Sequence, residues 1–314
     1  MQLLRLRLAL AGPFGTPLTS GTLFGQLCWA MVRRDGDDRA LTRRLGALEA
    51  EPCLISDAFP EDHLPRPILP PEPVPPTRER ADSHKKLKKL RWLRRERFLR
   101  GQLVPGDPPP AEPVELRTAH GTIDRIRNTT PEEAGLYFVD EWWPKDRADR
   151  DGPPSHRLDV YVRTAWPATE VEALLAAVGG WGHGRDSSTG RGRFRVEGCA
   201  VDRELDAARG SRRVSLSHGC WSANMADGRW KLWTHFGKVG ADVTARGGRP
   251  WKRPVVLLRP GATWRPTDDR PAGAWITDGL YQDAARVGIP VGLNAFHLAI
   301  AYDDPPGGAR GADR

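Results

Sequence analysis

The 314-residue chain has no run approaching the roughly 18 consecutive apolar residues of a membrane-spanning helix. Its first ten residues alternate leucine with arginine or alanine, unlike the unbroken apolar core of a signal peptide. No amphipathic segment has the broad apolar face that membrane adhesion requires. A cytosolic protein with no membrane partner is expected. Cysteine is scarce: Cys28, Cys53, Cys199 and Cys220 are all there is. They form no Cys-x-x-Cys pair and no zinc spacing, so reduced, mostly buried thiols are expected. The eight histidines show no His-Glu-x-x-His, no His–Asp pair and no metal spacing. There is no Gly-x-Ser-x-Gly elbow, and no Gly-Lys-Ser/Thr follows a glycine run, which argues against ATP. No cofactor and no metal site are expected.

Glycine and arginine, by contrast, are concentrated. Residues 179–194 read Gly-Gly-Trp-Gly-His-Gly-Arg-Asp-Ser-Ser-Thr-Gly-Arg-Gly-Arg-Phe, with six glycines and three arginines in sixteen residues. A helix pattern precedes this stretch and a strand pattern follows. That is the reverse of the strand-glycine-helix order of dinucleotide sites. Gly182, Gly184 and Gly190 let a backbone approach a ligand closely. Arg185, Arg191 and Arg193 supply planar, permanent cations that match phosphate. Ser187, Ser188 and Thr189 add short hydroxyls. The combination suits a polyanion lying against the loop, and these residues are candidate RNA contacts through phosphate and 2′-hydroxyl.

The charge is focused as well. The chain carries a net +8, and residues 78–100 hold 11 Lys/Arg against 3 Asp/Glu, again a net of +8. One segment thus carries the whole excess, which favours a polyanionic partner. Lys85, Lys86, Lys88, Lys89 and Arg91, with Arg94 and Arg95 behind them, are candidate nucleic-acid contacts. Leu87, Leu90, Leu93, Phe98 and Leu99 make a thin apolar seam, so residues 83–99 are expected to form a helix.

Along the chain, Leu4, Leu6, Leu8 and Leu10 define a first strand, with Arg5 and Arg7 on its other face. Thr19-Ser20 offers an N-cap for a helix over residues 22–32. Thr19, Ser20 and Thr22 are candidate phosphate contacts, because free amides at a helix start attract anions. A second amphipathic piece spans residues 39–49, and residues 53–55 form a short second strand. Residues 60–76 hold eight prolines, which read as extended chain. Residues 117–128 and 135–139 read as the arms of a hairpin. Residues 158–163 are a third strand, 167–178 a helix, and 194–200 a fourth strand. The order β-α-β, long insertion, β-α-loop-β is ferredoxin-like, the layout also used by RNA-recognition domains. The fold class expected is α+β. A ferredoxin-like domain spans residues 1–200 with an insertion at about 57–157. A second, strand-rich domain spans 201–314, with no convincing helix, a degenerate ferredoxin-like character and a disordered tail from residue 303.

Five segments in this order resemble a known family. Ser20-Gly-Thr-Leu-Phe-Gly-Gln-Leu27 is similar to the first helix of the fourth subunit of the Csm complex, the type III-A CRISPR effector, within the RAMP superfamily. Leu54-Ile-Ser-Asp-Ala-Phe-Pro60 with Leu64-Pro-Arg-Pro67 resembles that family's SDAFP…LPKP segment. The Lys85-Lys-Leu-Lys-Lys-Leu-Arg-Trp-Leu93 run resembles its lysine-rich block, and residues 117–128 its next stretch. Ser187-Ser-Thr-Gly-Arg-Gly-Arg-Phe194 resembles its STGKGRF loop. Arg191 stands where the family usually has lysine, and Ser20-Gly21 where many members have Ser-Asp.

The resemblance implies a non-catalytic subunit that caps the effector at the 5′ end of the CRISPR RNA (crRNA) and holds the repeat-derived 5′ tag. Its implied partners are the large polymerase-domain subunit, the backbone RAMP subunit and, indirectly, target RNA. The insertion would form a thumb that displaces a nucleotide, with Ile123 as apolar wedge beside His120, Arg125 and Arg127. The rival reading is a metal-independent RAMP endoribonuclease that processes CRISPR RNA, with His120 or His183 as general base. Among the twelve tryptophans, Trp142, Trp143 and Trp181 are the candidates for base stacking.

Overall fold

The leucine alternation becomes strand β1 (Gln2–Leu10), whose Leu4, Leu6 and Leu8 are fully buried. Helix α1 (Ser20–Asp35) lays Leu23, Phe24, Leu27, Ala30 and Met31 on that face, a 3.6-residue stripe. It ends at Gly36, whose left-handed backbone (φ 74°) suits a residue without Cβ. Helix α2 (Arg39–Gly46) and strand β2 (Leu54–Ile55) follow. The insertion then contributes β3 (Phe59–Pro60), β4 (His63–Pro65), β5 (Trp92–Arg94), helix α3 (Arg95–Leu99) and a long hairpin, β6 (Val114–Gly121) and β7 (Leu136–Trp143). Strand β8 (Arg157–Thr164), helix α4 (Ala168–Trp181) and β9 (Phe194–Val201) complete the first half.

The sheet order is β2-β8-β1-β9, with every neighbouring pair antiparallel. That is the ferredoxin-like arrangement. The protein is seen here in a computed structural model that describes residues 1–37, 39–48, 50–70, 89–103, 110, 112–131, 133, 135–144, 156–288 and 291–305.

The second half contains α5 (Arg203–Asp206), β10 (Arg212–Ser215), β11 (Met225–Arg229), β12 (Leu232–His235), α6 (Ala241–Ala245), β13 (Val255–Leu258), β14 (Thr263–Pro266), β15 (Trp275–Ile276), α7 (Ala284–Val287), β16 (Leu293–Asn294) and β17 (Ala299–Tyr302). Its main sheet runs β11-β14-β10-β17. Numbered along the chain, those strands stand in the order 2-3-1-4, the same permutation as the first sheet. Among the described residues the crossover helices of the first half have no full-length counterpart. Helices α5, α6 and α7, of four or five residues, are what the expectation of no helix overlooked.

The second half covers the other face of the first sheet. Leu3, Leu54, Phe59 and Tyr161 pack with Val214, Leu216, Leu298 and Ile300, joined by Leu64, Leu93 and Phe98 of the insertion. The sheet face on which RNA-recognition domains stack bases is therefore core here. Arg5 and Arg7 stay on that face because Asp159, fully buried, accepts from both at 2.5 and 3.2 Å. The same carboxylate accepts from the Asp62 amide at 2.7 Å, which anchors the start of the insertion.

Two expectations change. Residues 83–88 lie outside the described residues, but residues 92–94 are strand, not helix. Strand β5 pairs with β4, Leu64 opposite Leu93, while Lys89 and residues 95–99 are helical. The pairing buries both leucines, which an isolated helical seam would leave half wet. The tail is also anchored further than expected. Asp303 accepts from the Ser211 amide and hydroxyl, and Asp304 from Arg229. Residues 306–314 lie outside the described residues.

Burial pushes His183, His235 and His297 each down to about 4, with Lys252 and His218 adding to the effect at His235. A histidine of the unfolded chain titrates near 6.5. Between the two values the unfolded state binds more protons, so stability rises with pH across that window. Urea midpoints measured at pH 7.5, 6 and 5 are expected to fall at each step. An unchanged midpoint would mean that these rings are not buried in the folded protein.

Candidate nucleic-acid interface

The glycine-rich loop folds back on the segment that follows β1. The Gly192 amide donates to the Pro13 carbonyl at 2.8 Å, and the Arg185 amide to the Thr16 hydroxyl at 2.9 Å. Gly192 has φ 69°, and a Cβ there would sit 2.1 Å from the His183 carbonyl oxygen, so only glycine fits. Gly182, Gly184 and Gly190 also have positive φ. The glycines thus serve the loop's own tight path. Ser187, Ser188 and Thr189 form a single 3-10 turn, with Ser188 and Thr189 exposed.

The arginines of this loop are partly committed within the protein. Arg191 Nε lies 2.5 Å from Oε1 of Glu141, a buried carboxylate on β7. Arg185 donates to the Asp140 carbonyl at 2.6 Å, and Arg193 to the Gly180 carbonyl at 2.9 Å. The loop therefore braces the base of the β6–β7 hairpin. Two of its three candidate phosphate ligands are hairpin struts, and the exposed faces of Arg185 and Arg193 remain on the surface.

His183 is fully buried, with Nε2 3.4 Å from the Pro17 carbonyl. His120 stacks on Tyr137 in the hairpin, ring centroids 5.4 Å apart. At the hairpin tip the Asp124 carboxylate accepts from the Ile126 and Arg127 amides, an Asx turn that thrusts Ile126 into solvent at 97% exposure. Ile123 is 65% exposed, and Arg125 and Arg127 are exposed beside it. Ile126 is the more prominent apolar tip, and reading Ile123 alone missed it.

The helix start differs from expectation. Thr19 occupies the N-cap position, but its side chain caps nothing. Its hydroxyl lies 3.0 Å from that of Thr22, which donates to the Thr19 carbonyl. The cap comes from Asp57, whose Oδ1 accepts from the Ser20 amide at 2.9 Å. Ser20 is buried, and its hydroxyl accepts from the His218 amide at 3.1 Å. Ser20 is thus an internal link between the halves and presents no free hydroxyl to a phosphate.

Asp57 also holds His218, with Nδ1 2.7 Å from Oδ2. This His–Asp pair joins residues 161 apart, so no local spacing announced it. The pair lines a cleft of ≈ 1200 Å³ between the halves. Phe14 and Trp142, stacked at 5.9 Å, close the cleft at the hairpin base. Arg66, Arg91, Arg229, Lys231 and Arg259 line it, against Asp57 and Glu112. A surface with that balance attracts a phosphate backbone. The chain leaves the described residues at Pro70 and returns at Lys89, and both Pro70 and Leu90 line the cleft. Lys85, Lys86 and Lys88 lie outside the described residues, and Lys89 is exposed.

Arg91 stands over the Trp92 ring at 5.2 Å with a Glu112 contact at 3.5 Å. Arg95 is committed to Asp202 and Glu204 and ties the insertion to the end of β9. Arg94 is exposed. Trp142 and Trp143 are half-buried, whereas Trp181 is 40% exposed beneath the Arg33 guanidinium. No cluster of metal-ligating side chains occurs among the described residues, and no described helix is long and apolar enough to cross a membrane.

The architecture has solved counterparts. A chain in the crystal structure of a Csm1–Csm4 cassette in complex with pppApA superposes with a TM-score of 0.58 at 17% identity. The alignment covers 98% of this chain and 100% of that chain. The Csm3–Csm4 subcomplex of the type III-A CRISPR-Cas interference complex gives 0.55 at 11% identity, covering 96% and 99%. Csm4 is the component common to both. The fold is Csm4-like. No family model and no curated protein matches the sequence. In this Csm4-like fold the glycine loop braces residues 13–16 and the hairpin base, and Phe14, Thr19 and Trp142 of those neighbouring segments line the cleft.

Proposed function

We propose that the chain is a crRNA-binding subunit of a type III-A CRISPR effector and seats the repeat-derived 5′ tag in the cleft between its halves. The observation that carries this reading is the cation-lined cleft of a Csm4-like fold, with the exposed hairpin rising from one end. The large polymerase-domain subunit and the backbone RAMP subunit are its partners on this reading. Solved neighbours include a Csm1–Csm4 cassette and a Csm3–Csm4 subcomplex.

The role is binding, not cutting. Of the two candidate bases for a ribonuclease of this superfamily, His183 is buried, which leaves His120 as the one to test. The chain, tagged in its native host and purified gently, is expected to carry small RNAs that share one repeat-derived 5′ end, together with other effector subunits. RNA-free protein, or RNA without a common end, would overturn the assignment. Cleavage of repeat RNA by the purified chain in a chelator, lost on His120→Ala, would replace it with the ribonuclease.

A further inference from the structure

One wall of the cleft belongs to the second half and has a distinct chemistry. It holds Trp230, Lys231 and Arg259, with His218 and Trp233 beside them. Gly228 makes room for the Trp230 indole, because a Cβ there would fall 1.8 Å from the ring. The indole therefore lies on bare backbone, a rigid aromatic surface at the cleft. Lys231 and Arg259 are coupled by the Arg259 amide donating to the Lys231 carbonyl at 2.9 Å. Both side chains are exposed, and neither has an ion-pair partner among the described residues.

His218 is held on two sides. Its ring packs on Trp233 with centroids 4.3 Å apart, and Nδ1 faces the Asp57 carboxylate at 2.7 Å. Asp57 already accepts from the Ser20 and His218 amides, which orients the carboxylate as an acceptor toward the ring. Nδ1 must then carry the proton, and in the neutral imidazole Nε2 is left with a lone pair. An acceptor fixed in a cation-lined cleft is mismatched to phosphate oxygens but matched to a hydroxyl donor. Along a nucleic-acid backbone the hydroxyl that recurs is the ribose 2′-OH, which DNA lacks.

We propose that this wall is a single-nucleotide subsite for single-stranded RNA. His218 Nε2 accepts from one ribose 2′-hydroxyl, Trp230 stacks the base, and Lys231 with Arg259 holds an adjacent phosphate. The proposal rests on the RNA-binding reading above and adds to it how the cleft distinguishes RNA from DNA. Base stacking on Trp230 serves both polymers, as do the two cations, so discrimination falls on His218.

The test uses the full chain and fluorescein-labelled single-stranded oligomers of one sequence, as RNA, as DNA, and as RNA with one 2′-deoxy position moved along it. Wild-type protein is expected to prefer RNA, with one 2′-deoxy position costing about tenfold in affinity, the loss of one good hydrogen bond. His218→Ala is expected to remove that penalty and leave DNA affinity unchanged. Trp230→Ala is expected to weaken RNA and DNA alike. An RNA preference that survives in a folded His218→Ala protein would overturn the proposal, as would a deoxy scan on wild-type protein without any sensitive position. The scan needs no variant, so misfolding cannot mask the answer. Wild-type protein that binds no RNA at all would instead overturn the parent reading and the subsite with it.

Discussion

Replacing Asp57 by alanine is expected to lower the unfolding free energy by about 3 kcal/mol, since hydrogen bonds to a charged group contribute about 1.5–3 kcal/mol each. Asp57 is 8% exposed and accepts from three donors: the Ser20 amide, the His218 amide and His218 Nδ1. The first is the cap of α1, where a carboxylate also complements the helix dipole. The other two belong to the second half, and the Asp57 amide itself donates to the Leu216 carbonyl at 3.0 Å. One side chain thus terminates a helix and clamps two halves together, and alanine leaves the Ser20 amide and His218 Nδ1 without this acceptor, while the His218 amide keeps the Ser20 hydroxyl.

Asp57→Asn separates these roles. Its carbonyl oxygen still serves the two amides, so the loss in a urea melt is expected to be smaller than for alanine. Its NH₂ now faces Nδ1, which favours the opposite imidazole tautomer and turns Nε2 into a donor. The asparagine variant is therefore expected to stay folded and lose the RNA-over-DNA preference. Equal stability of Asp57→Ala and wild type would show that the clamp contributes nothing.

The parts of the molecule governed by local periodicity were legible in the sequence. Alternation over residues 2–10 marked β1, and Val171, Leu174, Leu175 and Val178 marked the buried stripe of α4. From these the ferredoxin-like order followed. The insertion was less legible because Leu90, Leu93 and Phe98 carry a helical spacing across a segment that contains a strand. What makes residues 92–94 a strand is pairing with residues 63–65, a contact that closes a loop of unrelated composition. The second half repeats the first sheet's strand order without its long helices, so the periodic signal that identified the first half was missing from the second.

The site divides in the same way. Residue chemistry picked out the glycine-arginine loop and the hairpin, and the structure sets the loop against residues 13–16 and the hairpin base, of which Trp142 lines the cleft. Residue chemistry did not reveal what the arginines touch, since Glu141 is supplied by another element. Nor did it reveal the Asp57–His218 pair. The one signal was Asp57 itself, an acidic residue in an otherwise apolar motif that buries it at the start of the insertion.

Breaking the Glu141–Arg191 pair gives the second large expected effect. Glu141 is 1% exposed, with Arg191 Nε at 2.5 Å from one oxygen and the Thr118 hydroxyl at 3.3 Å from the other. Removing the cation from a buried carboxylate typically costs about 3–5 kcal/mol, because the charge left behind has no solvent to turn to. Arg191→Ala is expected to fall in that range in a urea melt. Arg191→Lys, which restores the residue usual in the resembled family, keeps the charge but replaces a planar fork with a point charge, and should lose less.

The pair also decides what Arg191 does for RNA. A residue that contacts phosphate lowers the slope of log affinity against log salt by about one when it is removed. A guanidinium already committed to Glu141 is a brace for the hairpin. Arg191→Ala is therefore expected to leave that slope unchanged while loosening the hairpin, seen as faster amide exchange along β6 and β7. A reduced slope with unchanged exchange would return Arg191 to the set of direct phosphate ligands.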